Sequence, residues 1–274
     1  MMQEQEKQKQ MFRLLASEFH SEMSHPLSLL EVDRIYLWKH LDCDAPNPDP
    51  QVQRSLREIE MAQRQLERLW HNFSDLMEYI WNDLKPMQQP VDLRALLQVL
   101  SEECSCIEQT VGTRVKVTLP RSEACIVTDS AMAKQLILGL LVHAMEHSAP
   151  GEVIGLTLKS DEEGIRLLLR QKDETLTEPL RYVLCQDIED GGAGWCSCAI
   201  GLHLCRELCR LLEWKPQVKR YGHSTDILLS IPRETTVKNS RLEFRSSASR
   251  DDIWREQIRT QLGSVPGLAR YWTK

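Results

Sequence analysis

The chain has 274 residues, which suits one large or two modest domains. It is 42% hydrophobic and 27% charged, which excludes a disordered tail, and its net charge of -6 excludes a basic field for nucleic-acid phosphates. Its 12 glycines fall well below the usual roughly 7%, and that scarcity weighs against backbone loops wrapped around a nucleotide.

The N-terminus MMQEQEKQKQ is polar and charged, so nine cysteines occur without a secretory signal. No apolar run reaches roughly 18 residues, the length needed to span a membrane. A reduced, cytoplasmic protein without a membrane span is therefore expected.

In chain order, the first segment is helical. Phe12, Leu15, Phe19, Met23, Pro26, Leu30, Leu37 and Leu41 follow one apolar pattern. Val52, Leu56, Ile59, Ala62, Leu66, Leu69, Phe73, Leu76 and Ile80 follow a second, at the spacing of a coiled-coil seam. Asp42 to Pro50 cannot remain helical, so the two helices are expected to form an antiparallel hairpin. A dimeric four-helix bundle would bury its two-sided stripe; packing of a single hairpin on the next domain is the alternative.

Past the break at Pro86 to Pro90, the pattern mixes strands and helices. A short strand leads into a helix ending near Gln109, and Thr113 to Pro120 and Ala124 to Asp129 read as strands. Asp129 and Ser130 are suited to cap the helix that ends at Pro150 and Gly151. Val153 to Lys172 is a hairpin, a Gly-Gly stretch opens the helix Ala199 to Glu213, and Gln217 to Pro232 holds two strands. This order predicts an α+β two-layer sandwich whose sheet is mostly sequential, with helices on one face.

Residues 233 to 274 carry nine basic and five acidic side chains, against a net of -10 in the first 232. Arg233 to Arg250 reads as a linker, and Asp251 to Leu262 as a short helix with Trp254, Ile258 and Leu262 on one face. Docking of that helix onto the acidic body is favoured over a free partner-binding tail.

Four places resemble the core of a bacterial sensor histidine kinase, a dimerisation and phosphotransfer hairpin followed by a Bergerat-type ATP-binding domain. Phe19 to Leu27 is similar to the H-box, with Glu22, Pro26 and Leu27 matching. Asp129 to Gly151 resembles the N-box helix without a gap. Gly201 to Leu208 is similar to the helix after the last glycine box, and Gly222 to Pro232 to the closing Gly-Ser-Thr strand. The resemblance implies a helical hairpin over 1–86, a histidine-kinase ATPase-type sandwich over 87–232, and a linker with a basic tail over 233–274.

The chemistry departs from that pattern. The phosphoacceptor position falls on Ser21, whose hydroxyl lacks an imidazole lone pair. His20 lies about 100° round the helix from Ser21 and His25 lies on the same face, so either is a candidate displaced acceptor. Glu22 stands where the family has its base, with a solvated helix glutamate as the alternative. The two Mg²⁺-binding asparagines become Gly139 and His143, and the basic residue one turn on becomes Glu146. Asp173, the family's adenine ligand, is kept, but the glycines after it become Thr175 and Thr177. Ser197 and Ala199 replace the earlier glycines of the last box, although Gly201 remains. Binding of ATP and Mg²⁺ is therefore not expected.

Cys196, Cys198, Cys205 and Cys209 cluster near His203 without a common zinc spacing, so small hydrophobes are favoured over a metal site. Trp38, Trp70 and Trp81 are expected to be bundle or docking contacts, and His147 and His223 to lie on the surface. These residues predict a degenerate histidine-kinase-like homodimer that binds a response-regulator receiver domain or another kinase. The alternative is a histidine phosphotransferase, or weak kinase, acting through His20 or His25.

Overall fold

The computed structural model describes residues 11, 22–23, 26, 28–30, 32–33, 36–37, 50–81, 85–111, 114–122, 124–149, 151–161, 164–185, 199–232 and 248–263. Every described residue between 22 and 37 is helical. Asp33 lies against Ser55 and Glu58 of the next helix, α1 (Pro50–Trp81), and Leu37 and Val52 are buried. The 32-residue length of α1 follows from its uninterrupted apolar period and the absence of glycine or internal proline.

The mixed part begins with β1 (Gln89–Asp92), α2 (Leu93–Val111), β2 (Arg114–Thr118), β3 (Cys125–Thr128), α3 (Ser130–Glu146), β4 (Val153–Asp161) and β5 (Gly164–Gln171). It continues through α4 (Thr177–Cys185), α5 (Ala199–Leu211), β6 (Lys215–Tyr221) and β7 (Ser224–Ile231). The five-stranded sheet has the order β2-β4-β5-β7-β6, and β1 pairs with β3 as a separate antiparallel ribbon. Only β2 and β4 run parallel in the larger sheet. The sheet is thus less sequential than the pattern predicts, because β3 leaves it to pair with β1.

Alternation decides the sheet's buried face. Leu156 pairs with Leu169, Leu169 with Ile227, and Ile227 with Val218, making one continuous apolar row. Ile137 and Leu140 of α3 lie over this layer, facing Leu156, Leu167, Leu169, Ile227 and Leu229. Arg170 and Asp226, register partners on the other face, form a two-bond pair at 2.6 Å each. Gly222 holds the β6–β7 turn at φ 59°, a left-handed conformation that disfavours a side chain.

Helix α4 is not predicted from the sequence. Its nine residues follow Asp173, whose Oδ1 accepts from Thr175 N–H (2.8 Å) and Thr175 Oγ1–H (2.6 Å). This local turn starts the helix. Beyond Pro232, α6 (Ala248–Gly263) docks onto α2 and α3, burying Trp254, Ile258 and Leu262 as their shared face predicts. The helix begins at Ala248, inside the stretch that reads as a linker.

Candidate functional site

Helix α3 positions the site. Asp129 caps it, its Oδ1 accepting from Ala131 (2.9 Å) and Met132 (3.1 Å) N–H, while Oδ2 accepts from Met87 N–H (2.8 Å). Gln135, Gly139, His143 and Glu146 then fall at helical spacing on one stripe. That stripe borders a cavity of about 900 Å³ that is also walled by α1, α5, α6 and the described residues Glu22 and Pro26.

Each position on the stripe is engaged by protein. Tyr79 of α1 donates to Gln135 Oε1 at 2.9 Å, and Gln135 Nε2 donates to Asp75 Oδ2 at 2.6 Å. Burial, reinforced by Asp75 and Asp129, pushes the Tyr79 hydroxyl up to about 12, so it remains a donor. Arg68 pairs with Glu146. Gly139 takes the close approach of α5: a Cβ there would stand 2.8 Å from Cys205 Sγ. His143 is 4% exposed, and burial followed by repulsion from His147 pushes it down to about 3. Its ring centroid lies 4.3 Å from that of His147, and its Nε2 has no hydrogen-bond partner among the described residues.

No family model and no curated protein matches the sequence. Solved structures do match. The Acinetobacter baumannii histidine kinase AdeS aligns at a TM-score of 0.54 and 14% identity, covering 77% of this chain and 96% of AdeS. ThkA, solved with the response regulator TrrA, aligns at 0.60 and 15% identity, over 84% of this chain and 64% of that one. Full-length ShkA, solved with AMPPNP, aligns at 0.52 and 15%, over 82% of this chain and 47% of that one. The chain has the fold of a sensor histidine kinase core. At these identities the likeness concerns the fold, and this chain spans under two thirds of ThkA and about half of ShkA.

Set on the histidine-kinase fold, the stripe stands where the resemblance puts the Mg²⁺ and phosphate ligands. A hard Mg²⁺ ion is held by oxygens. Gly139 supplies none, and the space an asparagine there would need is held by Cys205 Sγ. His143 offers a buried imidazole and Glu146 a carboxylate already paired with Arg68. The residues present do not fit the ion.

The position that the resemblance assigns to adenine is engaged by protein as well. Asp173 is engaged by Thr175, and its carbonyl accepts from Thr225 Oγ1–H. Thr177 is buried, with its hydroxyl 2.7 Å from that of Thr225. Thr177 therefore opens α4 and seals the sheet end. Glu174 pairs with Arg220 and lies 3.5 Å from exposed His223.

Of the phosphotransfer candidates, Ser21, His20 and His25 lie outside the described residues, as do Ser197, Cys196 and Cys198. Glu22 and Pro26 border the cavity. Gly201 packs at α5's start, with its Cβ position 3.5 Å from Asn72 Nδ2. Cys205 and Cys209 are buried; burial pushes Cys205 up to about 12 and Cys209 well above its ordinary value. Both thus pack as protonated, small apolar groups, and no metal-capable cluster occurs among the described residues. Trp70 is 57% exposed on the single chain, and His147 is half-buried where a surface position was expected. No described helix is long and apolar enough to cross a membrane.

Arg68, Asp75 and Tyr79 are site residues that the sequence reading did not single out. They had a signal: with Asn72 they recur every three or four residues beside the apolar seam of α1, a polar stripe at helical period.

Proposed function

We propose that the chain is a catalytically degenerate histidine-kinase-like protein that acts as a dimeric adaptor or regulator in two-component signalling. In this reading residues 1–86 form the hairpin of a dimeric four-helix bundle, residues 87–232 the degenerate ATP-binding domain, and 233–274 the linker and tail. The observation that carries it is the Gly139–Cys205 contact. The place of a metal-binding side chain is taken by the sulfur of a neighbouring helix, while His143 stays neutral one turn on.

The partner is a response-regulator receiver domain or another kinase, engaged through the upper part of the hairpin. ThkA, similar in fold, has been solved with its response regulator, which supports that class of partner. Incubation of the purified protein with labelled ATP and Mg²⁺ is expected to leave no acid-labile label. Robust labelling would overturn the proposal.

Glu22 and Pro26 flank His25 and occupy helical places on the cavity wall, which favours one second reading, a histidine phosphotransferase. Phosphate transfer from a labelled receiver domain, abolished by His20→Ala or His25→Ala, would replace the adaptor with that enzyme.

A further inference from the structure

Helix α6 sits in a groove with specific chemistry. Trp254 is 1% exposed; its indole Nε1–H donates to Leu96 O at 3.3 Å, and the Lys134 ammonium lies 5.0 Å from the ring centroid. Ile258 and Leu262, one and two turns on, are fully buried. Beside this apolar row, Arg255 donates to Glu103 Oε1 (2.7 Å) and Glu102 Oε2 (2.6 Å). Arg259 donates to both oxygens of Glu103, at 2.7 and 3.2 Å.

The asymmetry of that ion cluster is informative. The Glu103 side chain is 3% exposed, whereas Arg255 and Arg259 are 30% and 58% exposed. The groove therefore holds a recessed carboxylate that needs guanidinium partners, and α6 brings them from outside. An isolated helix of 16 residues is marginal in water, so α6 is held by this seat and by its tether to Pro232. It also supplies Trp254, Gln257 and Gln261 to the wall of the cavity that His143 lines.

We propose that the α2–α3 groove is a docking site for an amphipathic helix carrying a tryptophan with arginines one and five residues later. Helix α6 is its occupant in cis, and a partner helix of the same chemistry displaces it and opens the cavity beside His143. The partner class follows from the seat: an indole slot, an apolar row at every fourth residue, and an acidic pair that selects guanidinium over neutral side chains. This holds whether or not the hairpin engages a receiver domain.

The test uses a fluorescein-labelled peptide of residues 248–263 and the full chain. Trp254→Ala, Arg255→Ala and Arg259→Ala together vacate the seat in cis. The peptide is expected to bind that triple variant at least tenfold more tightly than the unaltered chain. Adding Glu102→Gln and Glu103→Gln to the variant should reverse the gain. Equal binding to the folded triple variant and the unaltered chain overturns the proposal, as does binding indifferent to the two glutamates. Should the triple variant fail to fold, hydrogen exchange on the unaltered chain decides. Amides of α6 exchanging at least a hundredfold faster than those of α3 support a releasable helix, and exchange of α6 in step with α3 overturns it.

Discussion

His143 and His203 are both buried and both pushed down to about 3, by burial first and then by His147 and Arg206 respectively. An unfolded chain takes up a proton on each near pH 6.5, while the folded chain refuses it until about pH 3. The unfolded state therefore binds more protons across that window, and stability rises with pH through it. As pH falls from 7.5 to 5, each imidazole is expected to cost about 2 kcal/mol of stability, read from urea unfolding at the two values. His143→Leu should lower the steepness by about one proton. The neutral imidazole was not legible from sequence: a histidine in the N-box pattern looks like a replaced ligand, and burial is set by packing that the local pattern does not show.

At the scale of elements, α3 and α5 cross where Gly139 lets Cys205 approach. In the unaltered chain Gly139→Ala is expected to destabilise by about 1–3 kcal/mol through overpacking, less about 1 kcal/mol gained in helix propensity. In a Cys205→Ala background the obstructing sulfur is gone and the same change should stabilise. Thermal unfolding of the four-protein cycle reads that reversal of sign, and the absence of coupling would refute the contact's role. Most elements were readable from the sequence because their periods are clean: α1 from its seam, β4, β5 and β7 from alternation, and α6 from Trp254, Ile258 and Leu262. Helix α4 was hidden because its start depends on the hydrogen bonds between Asp173 and Thr175. The departure of β3 to pair with β1 is likewise a non-local choice.

At the scale of the molecule, α1 is tied to the α+β part through Arg68–Glu146, Gln135–Asp75 and Tyr79–Gln135. The Arg68 side chain is 9% exposed, so Arg68→Glu places two carboxylates against each other in a partly buried site. A loss of about 3 kcal/mol is expected, with faster hydrogen exchange along α1 and the facing stripe of α3. Restoring the pair with Glu146→Arg should recover most of it. If Arg68→Glu left both helices' exchange unchanged, the contact would not be what holds them together.

The sequence by itself determined the order of helices and strands apart from α4, the kinase-like pattern, and, at the positions that the resemblance marks, residue types other than those a Mg²⁺-nucleotide site requires. Those properties are local: they follow from period, capping and the donor atoms each side chain owns. Tertiary structure alone decided what surrounds those positions. The sulfur against Gly139, the neutral burial of His143, the pairing of Glu146 with Arg68 and the seating of Trp254 all join residues distant in the chain. Burial and pairing are properties of the packed surface around a residue, and only the folded chain creates that surface.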